Sequence, residues 1–205
     1  MAQAEAAVDL ALILAFDGSA SVTFESFNLI AGGTAAALRD PSVAAGLIQG
    51  PRGASLCALL LWSASDQQEV LVDWTRVDSP ASVEAFAQLV ENVPRVIPAG
   101  TTAIGAALSA CEAMLDAALF RASRRVIDIA GDGRSNDGPP PAPLRDRLVE
   151  AGVVINGLCI LHEEPDLLES YTRDVIGGVG SFALVCPSYG EFEVAMRQKL
   201  RQEIA

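Results

Sequence analysis

Apolar segments of strand length alternate with helical patterns along almost the whole chain of 205 residues. Segments with the spacing of amphipathic helices separate most of these strands. This alternation is typical of an α/β domain in which helices cover both faces of a mostly parallel sheet. The predicted strands are Val8–Phe16, Ala54–Trp62, Glu69–Trp74, Arg124–Ala130, Val153–Leu161 and Ser181–Cys186.

The lengths of the links between strands predict how the strands are ordered. Only Ser63–Gln68 separates the second predicted strand from the third. A parallel crossover needs a dozen or more residues, so this pair is expected to form an antiparallel hairpin. Every later pair is joined by a helix-bearing link, which favours right-handed parallel crossovers. We therefore predict a doubly wound six-stranded sheet of order 3-2-1-4-5-6, with Glu69–Trp74 antiparallel at one edge.

Composition limits the size, partners and environment of the domain. Hydrophobic residues make up 51% of the chain and charged residues 20%, which is enough apolar material for one substantial core. The net charge of −12 argues against binding a nucleic-acid backbone. No run of 18 apolar residues occurs, so we expect no membrane span. We predict a single domain over residues 1–205, with residues 1–7 as a flexible N-terminal remnant.

The first residues and the cysteines bear on cellular location. Ala2–Ala4 read "AQA", like the small-residue end of a signal peptide, although no charged segment or long apolar segment precedes them. One interpretation is a mature exported protein, periplasmic or secreted, and the alternative is an ordinary N-terminus of a protein that could be cytoplasmic; export is favoured mainly by the family resemblance described below. The four cysteines show no C-x-x-C spacing, so we expect small buried hydrophobes, and a disulfide stays open. They are Cys57, Cys111, Cys159 and Cys186.

Three polar clusters follow predicted strands or open a helix. "DGSAS" (Asp17–Ser21) and "GDG" (Gly131–Gly133) follow strands directly, and "AGTTAIG" (Ala99–Gly105) opens a helix. In a doubly wound sheet, ligands bind at the carboxyl ends of the strands, near the point where strand order reverses. The three clusters are therefore expected to converge on one rim of the sheet.

Every side-chain donor in these clusters is an oxygen. The candidates are Asp17, Ser19, Ser21, Thr101 or Thr102, and Asp132. Two carboxylates with several hydroxyls suit a hard divalent cation such as Mg²⁺ or Mn²⁺ rather than zinc or copper. With so few carboxylates, the ion would keep residual positive charge and attract an incoming carboxylate. The alternative is that the two serines cap a helix and Asp132 caps a turn.

This set of residues resembles the metal-ion-dependent adhesion site of von Willebrand factor A domains, whose pattern is D-x-S-x-S, a distant Thr and a later Asp. "DGSAS" matches the first element, and "TAIGAAL" (Thr102–Leu108) resembles the threonine element, which selects Thr102 over Thr101. "GDG" stands where the family usually has Thr-Asp-Gly, which selects Asp132. Gly131 departs from that pattern and removes a hydroxyl that could order nearby groups.

The resemblance extends from about Val8 to the C-terminal helix. Four segments resemble an uncharacterised, mostly proteobacterial branch of these domains, whose members are usually predicted to be exported. The segments are "ALRDPSV", "RVIDIAGDGRSNDG", "EAGVVINGLCIL" and "YTRDVIGGVGSF". The resemblance implies that Ser19, Ser21 and Thr102 bind Mg²⁺, Mn²⁺ or Ca²⁺ directly. It implies that Asp17 and Asp132 bind directly or through water.

Three functions remain open at this stage. The first is a binding module that captures an Asp or Glu carboxylate of a protein partner through the metal. The second is a metal-dependent hydrolase, which has less support because no general base or nucleophile accompanies the oxygens. The third is a structural domain stabilised by the metal. His162, the single histidine, is expected to be a surface residue rather than a catalyst.

Overall fold

A computed structural model of the chain describes residues 6–161 and 164–204. Its six strands form one sheet in the order β3-β2-β1-β4-β5-β6, which is the order that the link lengths predict. All neighbouring strands are parallel except β2 and β3, which pair antiparallel at one edge. The strands are β1 (Ala6–Asp17), β2 (Ser55–Trp62), β3 (Gln68–Val77), β4 (Phe120–Gly131), β5 (Val153–Ile160) and β6 (Ala183–Cys186).

The helices lie between the strands largely where the periodicity predicts them. The proline-rich segment Arg134–Pro143 predicts only a loop, but Pro141 begins α5. A short 3₁₀ turn, Tyr189–Glu191, precedes the last helix. The α-helices are α1 (Phe24–Leu38), α2 (Pro41–Ile48), α3 (Pro80–Glu91), α4 (Ile104–Asp116), α5 (Pro141–Glu150), α6 (Leu167–Asp174) and α7 (Phe192–Ile204).

The pair Asp40–Pro41 predicts the end of the preceding helix, and α1 does end just before it. The pair also starts α2, because the Asp40 side chain accepts hydrogen bonds from the backbone N–H groups of Ser42 and Val43. Proline at the first helical position is compatible with such a start. The spacing of Ser188 and Glu191 predicts a capping box for the last helix, but Ser188 makes no side-chain cap hydrogen bond, so this prediction is wrong.

The N-terminal boundary also differs from the prediction. β1 begins at Ala6 rather than Val8, and Ala6 and Ala7 pair with Phe120 and Arg121 of β4. These two residues are therefore part of the sheet, not of a flexible remnant. Residues 1–5, which include the "AQA" segment, and His162 lie outside the described residues.

Helices on both faces explain why β1 is almost wholly apolar. Side chains from Leu12 and Phe16 join the core under α1, α3 and α7, while those from Ile13 and Ala15 join the core under α4, α5 and α6. A strand buried on both faces reads as a continuous apolar run.

The four cysteines are buried and free, as expected, which removes the disulfide option.

The register of the parallel strands positions the polar clusters. Phe16 of β1 lies opposite Ala130 of β4, and Asp17 lies opposite Trp62 of β2. The carboxyl ends of β1 and β4 therefore meet at one rim of the sheet, which brings Asp17 beside Gly131 and Asp132.

No helix in the described part of the chain is long and apolar enough to cross a bilayer.

Candidate metal centre

Asp17 is the last residue of β1, and its side chain is fully buried. Its Oδ1 accepts a hydrogen bond from the backbone N–H of Ser19 at 2.7 Å, which fixes the turn that follows the strand. Its Oδ2 is buried and has no hydrogen-bond partner among the described residues. A buried carboxylate oxygen without a donor is costly, so this atom is suited to a cation.

The two serines and Asp132 form one connected group. The hydroxyl oxygens of Ser19 and Ser21 are 3.2 Å apart, and Ser21 Oγ donates to Asp132 Oδ1 at 2.7 Å. The other carboxylate oxygen of Asp132, Oδ2, accepts from the hydroxyl of Tyr189 at 2.7 Å. The first and third polar clusters therefore meet at the rim, as predicted. The cap of α1 is Thr23, whose hydroxyl accepts from the backbone N–H of Ser26, and not either of the two serines.

The side chains of Thr102 and Thr101 have different neighbours. Thr102 is buried, and its Oγ1 lies 3.6 Å from the position that a Cβ on Gly133 would occupy, which places it beside the third cluster. Thr101 is exposed, and its hydroxyl donates to Asp137 at 2.8 Å. Thr102 is therefore the threonine that faces the site. It lies in the loop before α4, whose first residue is Ile104.

Asn136 holds that loop in place. Its side-chain Oδ1 accepts from the backbone N–H of Thr102 at 2.9 Å, and its own N–H donates to the Thr102 carbonyl at 2.8 Å. This pair of hydrogen bonds ties the second polar cluster to the loop that follows β4. The distance of Thr102 from the carboxylates therefore depends on a residue outside the donor set.

The carboxylates of Asp17 and Asp132 repel each other when both are ionised. Burial and, to a smaller extent, the nearby charge of Asp132 raise the pKa of the Asp17 carboxyl to about 7, against the lowering effect of hydrogen bonds from Ser19. Arg95 is nearby, but its Nη2 donates to the carbonyls of Gly18 and Ser19, at 2.7 and 3.1 Å. A divalent cation would neutralise this repulsion.

The donor chemistry agrees with that requirement. No group of three or more His, Cys, Asp or Glu side chains within the described ranges is placed to hold a metal ion. The donors at this rim are instead two carboxylates and three hydroxyls, which are ligands for a hard cation. The residues present therefore fit Mg²⁺ or Mn²⁺ better than a soft metal.

Sequence reasoning missed several residues that shape this site. Tyr189 comes from the turn before α7, 57 residues after its partner Asp132. Arg95 comes from the loop after α3, and Asn136 from the loop after β4. None of them belongs to a local motif, because each acts through a contact that exists only in the folded chain. For Asn136, the available signal was its place directly after the third polar cluster.

Comparison with known proteins agrees with this geometry. Residues 7–205 match a family described as "Protein of unknown function (DUF1194)". No curated protein matches the chain by sequence.

Solved structures share the fold over nearly the whole chain. Proximal thread matrix protein 1 from the mussel byssus has a TM-score of 0.68 at 17% identity, covering 98% of this chain and 47% of its own. The same protein has been solved with a zinc-occupied MIDAS motif. A von Willebrand factor type A protein from Catenulispora acidiphila has a TM-score of 0.64 at 15% identity, covering 94% of this chain and 42% of its own.

A third structure has a length similar to that of this chain. The conserved hypothetical protein BatB from Bacteroides thetaiotaomicron has a TM-score of 0.61 at 14% identity, covering 96% of this chain and 100% of its own. This chain spans less than half the length of the mussel and Catenulispora proteins. The likeness identifies the fold as that of a von Willebrand factor A domain.

Proposed function

Because the chain belongs to the DUF1194 family of proteins of unknown function and has the von Willebrand factor A fold, we propose that it is a metal-dependent protein-binding module without catalytic activity. One observation supports this most strongly: Asp17 Oδ2 is fully buried and unpartnered beside Asp132 and three hydroxyl-bearing side chains. A site that gathers carboxylates without a counter-charge is suited to a cation.

In this proposal, Ser19, Ser21 and Thr102 hold the cation directly, while Asp17 and Asp132 hold it directly or through water. Mg²⁺ or Mn²⁺ is the expected ion, with Ca²⁺ as a further candidate. The bound ion would supply a Lewis-acidic position at the rim, which attracts an anionic oxygen. The partner group is therefore an Asp or Glu carboxylate of another protein.

The surroundings of the site favour such a partner over a small molecule. Phe24, at the start of α1, has 66% of its surface exposed, and the Arg95 guanidinium lies 5.3 Å from its ring centroid. An exposed aromatic ring beside a cation offers apolar and ionic contacts to a protein surface.

We also propose that the protein acts in the periplasm or outside the cell.

Metal titration by calorimetry tests the proposal. Purified protein, stripped with EDTA and dialysed, is titrated with Mg²⁺, Mn²⁺, Ca²⁺ and Zn²⁺, because the mussel protein holds zinc in its MIDAS motif. Asp132→Ala is expected to abolish binding, since the variant loses a carboxylate that Ser21 and Tyr189 orient. Asp73→Ala, which removes an exposed carboxylate from β3, is the matched control and is expected to bind as the wild type does. Equal affinity in all three proteins would place the metal elsewhere.

Partner capture tests the second half of the proposal. The immobilised domain should retain a protein from the native organism in Mg²⁺ or Mn²⁺ but not in EDTA, and a Glu-containing peptide should compete with it. Asp132→Ala should retain nothing under either condition. Hydrolysis of simple phosphoesters by the pure protein, lost in Asp17→Ala, would instead favour a metal-dependent hydrolase.

A further inference from the structure

Tyr171 of α6 is fully buried, and its ring occupies a slot over two glycines of the sheet. A Cβ on Gly157 of β5 would lie 2.8 Å from Tyr171 Cδ1, and a Cβ on Gly131 of β4 would lie 2.8 Å from the Tyr171 hydroxyl oxygen. Neither glycine has a positive φ, so backbone conformation does not require glycine at either position. Glycine is needed at both positions because Tyr171 fills the space that a Cβ would occupy.

The slot ends at the carboxylate of Asp17. The same Cβ position on Gly131 lies 2.9 Å from Asp17 Oδ2, so this oxygen and the Tyr171 hydroxyl both lie close to one point at the end of β4. Both atoms are buried, and neither has a hydrogen-bond partner among the described residues. Buried polar atoms without partners are rare in native proteins, and two of them close to one point call for a functional explanation.

We propose that Tyr171 is a positioning residue of the metal centre: its hydroxyl, which makes no hydrogen bond to the described residues, donates to Asp17 Oδ2 when a cation is bound. This inference rests on the proposed function, because Asp17 is taken to be a metal ligand. Carboxylates that bind metals are oriented by hydrogen bonds from residues behind them, and loss of such a partner typically weakens metal binding about 10- to 100-fold. Gly131 and Gly157 contribute by leaving room for the ring and its hydroxyl.

The alternative is that Tyr171 only fills space. Its ring is part of the hydrophobic core beneath α4, α5 and α6. A purely packing role would depend on the ring and not on the hydroxyl. Removal of the hydroxyl from a well-packed tyrosine therefore separates the two explanations.

Tyr171→Phe keeps the ring and removes only the hydroxyl. We expect the dissociation constant for Mn²⁺, measured by calorimetry, to rise about 10- to 100-fold. The melting temperature of the metal-free variant should stay close to that of the wild type, because without a cation the Tyr171 hydroxyl has no hydrogen bond to lose. Thr172→Ala, which deletes a neighbouring exposed hydroxyl on α6, is the control and should leave the dissociation constant unchanged.

Two glycine variants provide an independent test. The methyl group of Gly131→Ala would meet both oxygens, whereas that of Gly157→Ala would meet the ring at Cδ1 and the side chain of Ile176. Both variants should melt at a lower temperature. In a Tyr171→Phe background, the destabilisation by Gly131→Ala should shrink because one of its two close contacts is gone, while that by Gly157→Ala should not.

The outcomes distinguish this inference from the proposed function. If wild-type protein binds no metal, the proposed function fails and the positioning role fails with it. If wild-type protein binds Mn²⁺ and Tyr171→Phe binds it equally well, only the positioning role is overturned. Additive effects of Gly131→Ala and Tyr171→Phe on stability would overturn the contact on which the role depends.

Discussion

Ser21 Oγ donates a hydrogen bond to Asp132 Oδ1 at 2.7 Å, across 111 residues of sequence. This contact joins the loop after β1 to the end of β4, so the candidate site exists only when the central strands are paired. A cation that needs both segments should bind the folded chain and not the unfolded one.

The first prediction follows from that linkage: metal should raise the melting temperature. At a free ion concentration of about 100 times the dissociation constant, stabilisation should reach about 2.7 kcal/mol. Thermal unfolding is followed by circular dichroism in EDTA and in increasing Mg²⁺ or Mn²⁺, with Asp132→Ala as the control that gains nothing. A wild-type melting curve indifferent to saturating Mg²⁺, Mn²⁺ and Ca²⁺ would contradict metal binding at this rim.

The second prediction concerns Asp17→Asn in metal-free protein. The pKa of Asp17 is raised to about 7 in the fold, so the native state holds a proton that the unfolded state releases near pH 4. Ionising Asp17 therefore costs stability progressively as the pH rises from about 4 to about 7. At pH 8, in EDTA, Asp17→Asn should melt at a higher temperature than the wild type and should bind no metal.

The pH dependence supplies the check on that explanation. Between pH 5 and pH 8 the melting temperature of the wild type should fall further than that of Asp17→Asn, because the variant has no carboxyl to ionise at this position. Parallel losses in the two proteins would show that the Asp17 carboxyl is not held protonated by burial.

The third prediction separates the two adjacent threonines. Thr102→Val removes a buried hydroxyl that faces Gly133, and it should weaken Mn²⁺ binding about tenfold or more. Thr101→Val removes an exposed hydroxyl bonded to Asp137 and should leave the dissociation constant unchanged. Calorimetry on the pair tests this assignment. The reverse ranking would mean that the loop before α4 presents Thr101 to the ion.

The fourth prediction concerns a buried charge cluster outside the donor set of the metal centre. Lys199 Nζ of α7 lies 2.5 Å from Asp128 Oδ1 of β4 and 3.0 Å from Glu203 Oε1, and all three side chains are buried. Asn156 of β5 also donates to Glu203, at 2.7 Å. Lys199→Met would leave two buried carboxylates without their cation and should lower the free energy of unfolding by about 3–5 kcal/mol.

Chemical denaturation measures that loss. Adding Asp128→Asn and Glu203→Gln to Lys199→Met should restore much of the stability, because the uncompensated charges are then gone. Arg197→Met on the same helix breaks a more exposed pair with Glu193 and should cost about 0.5 kcal/mol or less. A cost for Lys199→Met no larger than that of Arg197→Met would show that the cluster is not needed for docking α7.

The fifth prediction concerns the cysteines. Burial raises the pKa of the Cys57 thiol to about 12 and that of Cys186 to about 11, so neither forms thiolate at neutral pH. Native protein at pH 8 should therefore react slowly with a thiol reagent, and denatured protein should show four free thiols. Fewer than four in protein prepared under oxidising conditions would mean that a disulfide forms after all.

Local patterns were sufficient for the fold. The short link Ser63–Gln68 cannot span a crossover, and the longer helix-bearing links favour parallel crossovers, so the parallel or antiparallel sense of each strand pair followed from link length. The continuous apolar run of β1 indicated burial on both faces. Boundaries were less certain, because pairing partners decide where a strand begins: Ala6 joins the sheet through Phe120, far along the chain.

The donor set of the candidate site was also readable in sequence. Asp17, Ser19, Ser21, Thr102 and Asp132 occupy positions directly after strands or before a helix, and parallel pairing brings strand ends together. Their convergence is therefore a consequence of topology. Whether they bind a metal remains a prediction.

Tertiary structure alone decided how these donors are held. Asn136 fixes Thr102, Tyr189 orients Asp132, and Tyr171 fits above Gly131 with its hydroxyl near Asp17. The tyrosines come from segments remote in sequence, and they reach the rim only after α6 and α7 pack on the sheet. Sequence determines which oxygens meet because strand order is set by local links. Packing determines their orientation and charge, because burial and distance are properties of the folded chain.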